Sequence, residues 1–214
     1  MSDTRQRLLD GAVQTLRDKG IAGTSARSIA STTGVNQGLI FYHFGSVDEL
    51  IIAACQAATA VRIALYRDRF AEVGSLRELL VAGRELHEAE RAAGNVAMLA
   101  QVLAGAQQNK GLAEAAKQAL ELWITEIETV LDRLMRDSLI SVAVDRPGLA
   151  RGVAAAFIGI ELYDGVDPVG AQAALGALEQ LSVLTELLDE LGPVAKRALR
   201  NRVRRAKAAS ARTA

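Results

Sequence analysis

Hydrophobic residues recur every three or four positions along most of the 214-residue chain, which is the period of an amphipathic α-helix. Alternating β-branched runs are scarce, and the good helix formers Ala, Leu, Glu and Arg dominate. The three prolines, Pro147, Pro168 and Pro193, each stand where the first turn of a helix tolerates them. The pattern therefore predicts an all-α fold of about ten helices with no sheet.

Three helices and their turns are predicted before residue 46. They cover about residues 3–19, 25–33 and 37–43. Thr24 and Asn36 are predicted to cap the second and third helices, because their side-chain oxygens can accept a hydrogen bond from the first helical turn. Gly34 is predicted to end the second helix in the left-handed conformation.

A longer helical body follows these three helices. Ser46 and Glu49 form a capping-box pattern, which predicts a long fourth helix to about Val73. Glycine, asparagine and proline positions then separate six further helices. These are predicted at about residues 76–92, 96–108, 112–140, 147–163, 169–191 and in the basic segment from 193 onward.

The first three predicted helices have the layout of a helix-turn-helix that reads DNA. Asn36 and Gln37 lie near the start of the short third helix, and amide side chains of this kind pair with base edges. Gly38 permits a close backbone approach. The aromatic residues Phe41 and Phe44 are predicted mainly as core anchors of this helix.

Residues 24–50, TSARSIASTTGVNQGLIFYHFGSVDEL, resemble the DNA-binding domain of the TetR family of bacterial regulators. The resemblance rests on the capped helix, the Gly-Val-x-x-Gly turn, the aromatic-His-Phe run and the Ser and acidic pair before Leu, and it is close over about residues 5–55. It implies that phosphate contacts come from Ser25, Arg27, Tyr42 and His43. It also implies that the groove-facing residues are Asn36, Gln37, Gly38 and Leu39. For His43, the alternative interpretation is a purely structural role.

Three positions depart from the family pattern. Leu39 stands in place of a polar Thr or Ser, and would make an apolar contact, for example with a thymine methyl group. Phe41 replaces the usual Tyr, and Val47 replaces the usual Lys. The last two changes remove a hydroxyl and a cation, which weakens the expected electrostatic grip on phosphate.

The ninth predicted helix carries an apolar stripe that is too wide for a single packing partner. A homodimer with a two-fold four-helix interface would bury both of its faces, and the resemblance implies the same dimer. The predicted interface residues are Phe157, Leu175, Leu178, Leu181, Leu184 and Leu188. The alternative is one helix buried inside a monomer.

A small-molecule effector site is predicted among helices five to eight, where polar or large residues interrupt small apolar ones. The candidate ligand contacts are His87, Met98, Gln101, Trp123 and Glu161. Gln107 and Glu126 belong to the same polar set. Each residue also has an ordinary interpretation, as core filler, packing anchor or solvated surface.

Charge is distributed unevenly although the net formal charge is zero. Residues 1–46 hold five Arg or Lys against three Asp, residues 47–192 are acid-rich, and residues 193–214 hold eight Arg or Lys and no acid. This distribution is compatible with DNA binding at one end of the molecule. The basic C-terminal segment is interpreted first as a solvated helix that frays, with phosphate contact as the alternative.

Several classes of protein are disfavoured by the composition. A single cysteine and two histidines show no metal-ligand spacing, and no P-loop, dinucleotide-binding or Ser-nucleophile motif is found. We therefore expect no metal, no cofactor and no enzymatic activity. The N-terminus lacks a signal-peptide pattern and no uninterrupted apolar run suffices for a membrane span, so a cytoplasmic protein without a membrane partner is predicted.

These observations predict a one-component transcription regulator that binds double-stranded operator DNA as a homodimer and is released by a small molecule. The predicted domains are 1–46 for DNA binding, 47–192 for ligand binding and dimerisation, and 193–214 as a basic helix or tail. Repression rather than activation follows only from the resemblance. The alternative is a helical interaction or scaffold protein that has lost specific DNA binding.

Overall fold

The computed structural model describes residues 3–136, 141, 144–189 and 191–210, except for the side chains of 185, 186, 188, 189 and 206–210. Its regular secondary structure over these residues is helical, which confirms the all-α prediction. The helices are α1 (Asp3–Lys19), α2 (Ala26–Thr33), α3 (Gly38–Phe44), α4 (Val47–Glu72), α5 (Leu76–Ala92), α6 (Asn95–Ala106), α7 (Lys110–Met135), α8 (Arg146–Asp164), α9 (Pro168–Asp189) and α10 (Pro193–Ser210).

Ser25 caps α2, so the prediction that Thr24 does so is wrong. Ser25 has an extended backbone, and its Oγ accepts a hydrogen bond from the Ser28 backbone N–H at 3.2 Å. The Ser28 hydroxyl in turn accepts from the Ser25 N–H at 2.8 Å, which completes a capping box. Thr24 instead donates its hydroxyl to the Gly20 carbonyl at 2.7 Å.

The turn between α2 and α3 largely follows the predicted chemistry. Gly34 has a φ of 66°, in the left-handed region, and ends α2 as predicted. α3 begins at Gly38, one residue later than predicted, so Gln37 rather than Asn36 occupies its N-cap position. The Asn36 Oδ1 nevertheless accepts a hydrogen bond from the Gly38 N–H at 2.8 Å, so Asn36 still stabilises the first turn of α3.

The ends of α7 differ most from the predicted ones. α7 begins at Lys110 rather than 112, because the Asn109 Oδ1 accepts a hydrogen bond from the Leu112 N–H at 3.0 Å. It ends at Met135 in the structure, and residues 137–140 of the predicted helix lie outside the described residues. α8 begins with Pro147 in its first turn, as predicted, and is capped by Asp145.

The chain divides into two compact units. The first unit comprises Met1–Tyr66 and His87–Trp123, and the second comprises Arg67–Leu86 and Ile124–Ala214. Their boundary cuts through α4, α5 and α7. These units are defined by compactness and do not test the predicted domain limits at residues 46 and 192, which stay a prediction.

Two hydrophobic cores organise the first unit. One is shared by α1 to α4 and consists of Leu8, Leu9, Ala12, Ile29, Val35, Ile40, Leu50 and Ala54. The other joins α1 and α4 to α6 and α7 and consists of Leu16, Ile51, Cys55, Val102, Leu112 and Ala116. The three-helix head consists of α1, α2 and α3. Because α1 and α4 contribute to both cores, these two helices connect the head to α6 and α7.

The second unit combines helix packing with charged contacts. α8 and α9 pack on each other, and Ala154, Ala171 and Leu175 are buried there. Arg133 of α7 donates to the carbonyls of Phe70 and Val73 at 2.7 and 2.9 Å, where α4 ends. These hydrogen bonds satisfy carbonyls that a helix terminus leaves without an intrahelical partner.

By length and composition alone, α4 would suffice to cross a membrane, with a mean hydropathy of 1.4 over its most apolar window. Such a helix is weak evidence, since a core helix of a soluble protein passes the same test. The N-terminal half of α4 buries Leu50, Ile51 and Ala54 in the two cores of the first unit. Its Arg62 pairs with Glu90 at 3.3 Å.

Gly11 tests how closely α1 and α2 must approach. A Cβ added there would lie 1.9 Å from Thr33 Cγ2, so we expect Gly11→Ala to destabilise the fold by about 1–3 kcal/mol in urea unfolding. Adding Thr33→Ser removes that methyl group and keeps the hydroxyl, and should restore most of the stability. Gly83→Ala in α5 is the control, since nothing lies within 4 Å of its Cβ and a gain of up to about 1 kcal/mol is expected. Equal effects at Gly11 and Gly83 would contradict the close approach.

Candidate nucleic-acid interface

Ile40 sets the orientation of α3. It is fully buried in the core that α1 to α4 share, and Leu39 packs partly against the same core. With one side of a seven-residue helix held in this way, the residues at its N-terminus and on its outer side face solvent. α3 therefore has the form of a recognition helix presented by a small hydrophobic core.

The amide residues at the start of α3 are not equivalent. Gln37 is exposed, and its side chain makes no hydrogen bond within the described residues, so both its donor and its acceptor are available to a base edge. Asn36 is also exposed, but its Oδ1 is engaged by the Gly38 N–H, which leaves mainly its N–H₂ donor. A Cβ at Gly38 would lie 3.2 Å from this Oδ1, so glycine also protects the turn.

Phosphate-binding candidates lie in α3 itself and at the start of α2. Arg27, in the first turn of α2, is exposed and makes no ion pair within the described residues. Ser25 is exposed as well, but its hydroxyl takes part in the capping box. Tyr42 is 81% exposed, and its ring meets the edge of the half-buried His43 ring at 5.0 Å. This contact limits the orientation of Tyr42 while leaving its hydroxyl free to donate to a phosphate.

The two phenylalanines of α3 have different environments. Phe44 packs against the shared core, and the Arg5 guanidinium lies 4.9 Å from the centre of its ring. Phe41 is 51% exposed, so the prediction that it anchors the core is wrong. Its exposure places an apolar ring on the same surface as Tyr42. Leu39, predicted to face the groove, is half-buried and offers only part of its side chain.

A polar connection between α1 and α6, which sequence reasoning missed, lies within the first unit. Arg17 donates to the Asn95 Oδ1 at 2.6 Å, and Asn95 donates to the Glu90 Oε2 at 2.6 Å. Separately, the Gln101 Oε1 accepts from the Ile21 N–H at 3.0 Å. Gln101, predicted as a ligand contact, thus holds the end of α1. No local pattern signals the bonds from Arg17 and Ile21, because their partners lie about 80 residues away in the sequence.

The other predicted ligand contacts have varied surroundings. Met98 packs against the second core of the first unit, and His87 is 4% exposed. The Trp123 ring lies 6.5 Å from the ring of Tyr66, a residue that no sequence pattern singles out. The pKa of Tyr66 is raised, first by burial and then by the charge of Glu90, against a smaller opposing effect of Arg62.

Three further polar candidates have local roles or lie in the second unit. Glu161 of α8 is 2% exposed. Glu126 pairs with Arg67 at 3.0 Å, and Gln107 follows the last residue of α6. The second unit thus holds a buried carboxylate on α8, and its position relative to the residues of the first unit stays a prediction.

The stripe of α9 is divided between two faces. Leu175 is 6% exposed and packs within its own protomer, which does not fit its predicted contact with a partner. Leu178 and Phe157 are half-buried. Leu181, Leu184 and Leu187 are each more than half exposed. The side chain of Leu188, also predicted at the interface, lies outside the described residues.

The described residues contain no group of three or more His, Cys, Asp or Glu side chains arranged to hold a metal ion. Burial raises the pKa of the Cys55 thiol to about 11, so it stays protonated at neutral pH. Cys55 therefore behaves as a small apolar core residue.

Comparison with known proteins relates this interface to bacterial regulators. Residues 8–54 match the family model for bacterial regulatory proteins, tetR family. The HTH-type transcriptional repressor AcnR of Corynebacterium glutamicum is 31% identical over 87 residues, which are 41% of this chain and 42% of AcnR. Matches to the curated relatives span only 19% to 42% of those proteins' lengths.

Solved structures extend the likeness of fold beyond the head. A TetR-family transcriptional regulator from Rhodococcus sp. superposes with a TM-score of 0.71 at 20% identity, over 86% of this chain and 99% of that one. The multidrug binding protein EbrR, complexed with proflavin, superposes with a TM-score of 0.55 at 26% identity, over 82% of this chain and 99% of EbrR. The fold outside residues 8–54 is therefore also that of such regulators.

Gln37 and Asn36 provide a test that separates DNA reading from support of the helix. We expect Gln37→Ala to weaken binding to a duplex selected for affinity by about 5- to 150-fold, with no change in thermal unfolding, because its side chain makes no hydrogen bond in the described chain. Asn36→Ala should also lower the unfolding free energy, by about 0.5–2 kcal/mol, because the first turn of α3 loses a hydrogen-bond acceptor. Fluorescence anisotropy and urea unfolding measure the two effects. Unchanged DNA binding by the Gln37 variant would contradict the assignment.

Proposed function

Because residues 8–54 match the tetR family model, we propose that the chain is a TetR-family regulator, a cytoplasmic repressor that binds a palindromic operator as a homodimer and is released by a small-molecule effector. The main support is the exposed face of α3, where Gln37 and Tyr42 project from a helix fixed by the buried Ile40. The relationship to the repressor AcnR supports repression rather than activation.

Homodimerisation is supported by the size of the recognition helix and by the surface of α9. A helix of seven residues reads only a few base pairs, so specificity requires a second half-site one DNA turn away. Leu181, Leu184 and Leu187 form an exposed apolar row on α9. A two-fold axis beside α8 and α9 would bury this row against its own copy, since an isologous interface is self-complementary.

The proposed effector site lies beside Tyr66 and Trp123 in the first unit. Two neighbouring aromatic rings, with the charge of Glu90 acting on Tyr66, suit a flat or cationic organic molecule. EbrR, which has a similar fold, binds proflavin in its solved complex. An aromatic cation is therefore the class of effector that this part of the chain fits best.

Glu90 connects the proposed effector site to the DNA-binding head. It pairs with Arg62 at 3.3 Å and accepts a hydrogen bond from Asn95, which itself accepts one from Arg17 of α1. An effector that competes for Glu90 would rearrange Asn95 and so release Arg17. The resulting shift of α1, together with a tilt of α4, would move the two recognition helices out of register with one DNA turn.

Selection of high-affinity duplexes from a randomised pool tests this function directly. We expect a palindromic consensus whose half-sites lie about one helical turn apart, bound with strong salt dependence. Leu181→Glu with Leu184→Glu should convert the dimer to a monomer in sedimentation and abolish binding to the consensus, because charges would be buried at the interface. Val166→Glu with Val169→Glu, at other exposed apolar positions, is the matched control.

Two results would contradict the proposal. Failure to enrich any duplex would favour a helical interaction protein that has lost DNA binding. Selection of a single, non-repeated half-site by a protein that stays monomeric would reject the dimer while keeping the DNA-binding function.

A double-mutant cycle tests the connection between α1 and α6 without knowledge of the effector. Arg17→Ala and Asn95→Ala should each weaken binding to the selected duplex by about 0.5–2 kcal/mol, although neither residue lies on α3. The double variant should bind DNA no more weakly than the single variant with the lower affinity, since both changes break the same hydrogen bond. Gln14→Ala, which breaks only an exposed contact with Asp18, should have no effect. Additive decreases would show that the two residues act separately.

A further inference from the structure

α10 carries a strongly cationic surface that the function proposed above does not use. From Pro193 to the end of the sequence there are eight Arg or Lys residues and no acid. Within the part of α10 whose side chains are described, four arginines are exposed and make no ion pair with a described carboxylate. They are Arg197, Arg202, Arg204 and Arg205.

The larger apolar residues of α10 are mostly turned away from solvent. Lys196, Leu199, Arg200 and Val203 are half-buried, and their spacing of three, four and seven residues defines one face of a helix. This face is the less exposed one, while the exposed arginines lie on the rest of the helix surface. Val194, which is 83% exposed, is the one large apolar side chain of the described part of α10 that faces solvent.

This arrangement fits a phosphate backbone better than a lipid bilayer. A helix that binds a membrane surface inserts its apolar face, and here Leu199 and Val203 are already half-buried. Among the side chains of α10 that the structure describes, the exposed cations are all arginines, whose planar guanidinium groups bind phosphate bidentately. Arg197 and Arg204 are two helical turns apart, about 10.5 Å, so the cations of α10 extend along the helix rather than forming one point charge.

We propose that α10 is a second, sequence-independent DNA-binding surface that contacts the phosphates of duplex DNA. α10 belongs to the second unit of the chain and α3 to the first, so this surface is distinct from the recognition helix. The proposed contacts are to phosphates, since the exposed side chains of the described part of α10 are mainly arginines, with Asn201 as an exposed amide. Its consequence is that the protein associates with DNA of any sequence before the operator is read.

The test uses the full chain in a background that cannot read sequence, Gln37→Ala with Tyr42→Ala. Binding to a randomised duplex is followed by anisotropy between about 50 and about 200 mM salt. The combined variant Arg197→Gln, Arg202→Gln, Arg204→Gln and Arg205→Gln should lower the slope of log K against log salt by about 3 to 4 per protomer, because each arginine neutralises one phosphate. Affinity at the lower salt should fall at least about tenfold.

The control variant removes the same net charge elsewhere. It carries Arg77→Gln, Lys110→Gln, Lys117→Gln and Arg136→Gln, four exposed positions outside α10. Circular dichroism of both variants checks that helix content is kept. Support for the proposal requires a fall in affinity in the α10 variant alone.

Three results would overturn the proposal. Unchanged binding of the randomised duplex by the α10 variant would show that these arginines do not contact DNA. An equal fall in affinity in the control would assign the effect to net charge. Binding of α10 to vesicles of phosphatidylglycerol and phosphatidylcholine, with no effect on duplex binding, would assign the surface to a membrane. Because the duplex is random, the result is independent of whether an operator can be selected.

Discussion

The position of α3 depends on the hydrophobic core that α1, α2, α3 and α4 share. A helix of seven residues is too short to be stable alone in water, so its existence and its orientation both come from tertiary packing. Ile40 is the side chain of α3 that is fully buried, and Leu8, Ile29 and Leu50 of the three other helices belong to the same core. The orientation of the exposed side chains of α3 is therefore set by buried residues of this core.

α1 transmits that constraint to the rest of the first unit. Leu8 and Leu9 lie in the core under α3, while Leu16, two turns further on, lies in the core formed with α6 and α7. The turn that follows α1 is then fixed by a hydrogen bond that the Ile21 backbone N–H donates to the Gln101 side-chain oxygen. Since a Cβ at Gly20 would lie 2.1 Å from the Gln101 oxygen, this approach also requires a glycine. One rigid helix thus links the head to α6.

Local chemistry could be predicted from the sequence, and long-range contacts could not. The hydrogen bond from the first turn of α3 to Asn36 and the end of α2 at Gly34 both involve residues within one turn, and the structure contains both. Sequence reasoning assigns Gln101 to a ligand because its actual partner, Ile21, is remote along the chain. It assigns Phe41 to the core because aromatic type alone does not show which side of a short helix is buried. For the same reason, the apolar stripe of α9 does not show from sequence which of its leucines are buried within the protomer.

The charge distribution separates affinity for DNA from specificity. Residues 1–46 carry five cations against three acids, and Val47 lacks the cation that the TetR pattern has at the start of α4. Phosphate contacts supply most of the sequence-independent affinity, whereas base contacts supply discrimination. A head with few cations can therefore remain specific and still bind weakly. In that situation the DNA contacts proposed for the exposed arginines of α10 would add affinity without changing the sequence that the recognition helix selects.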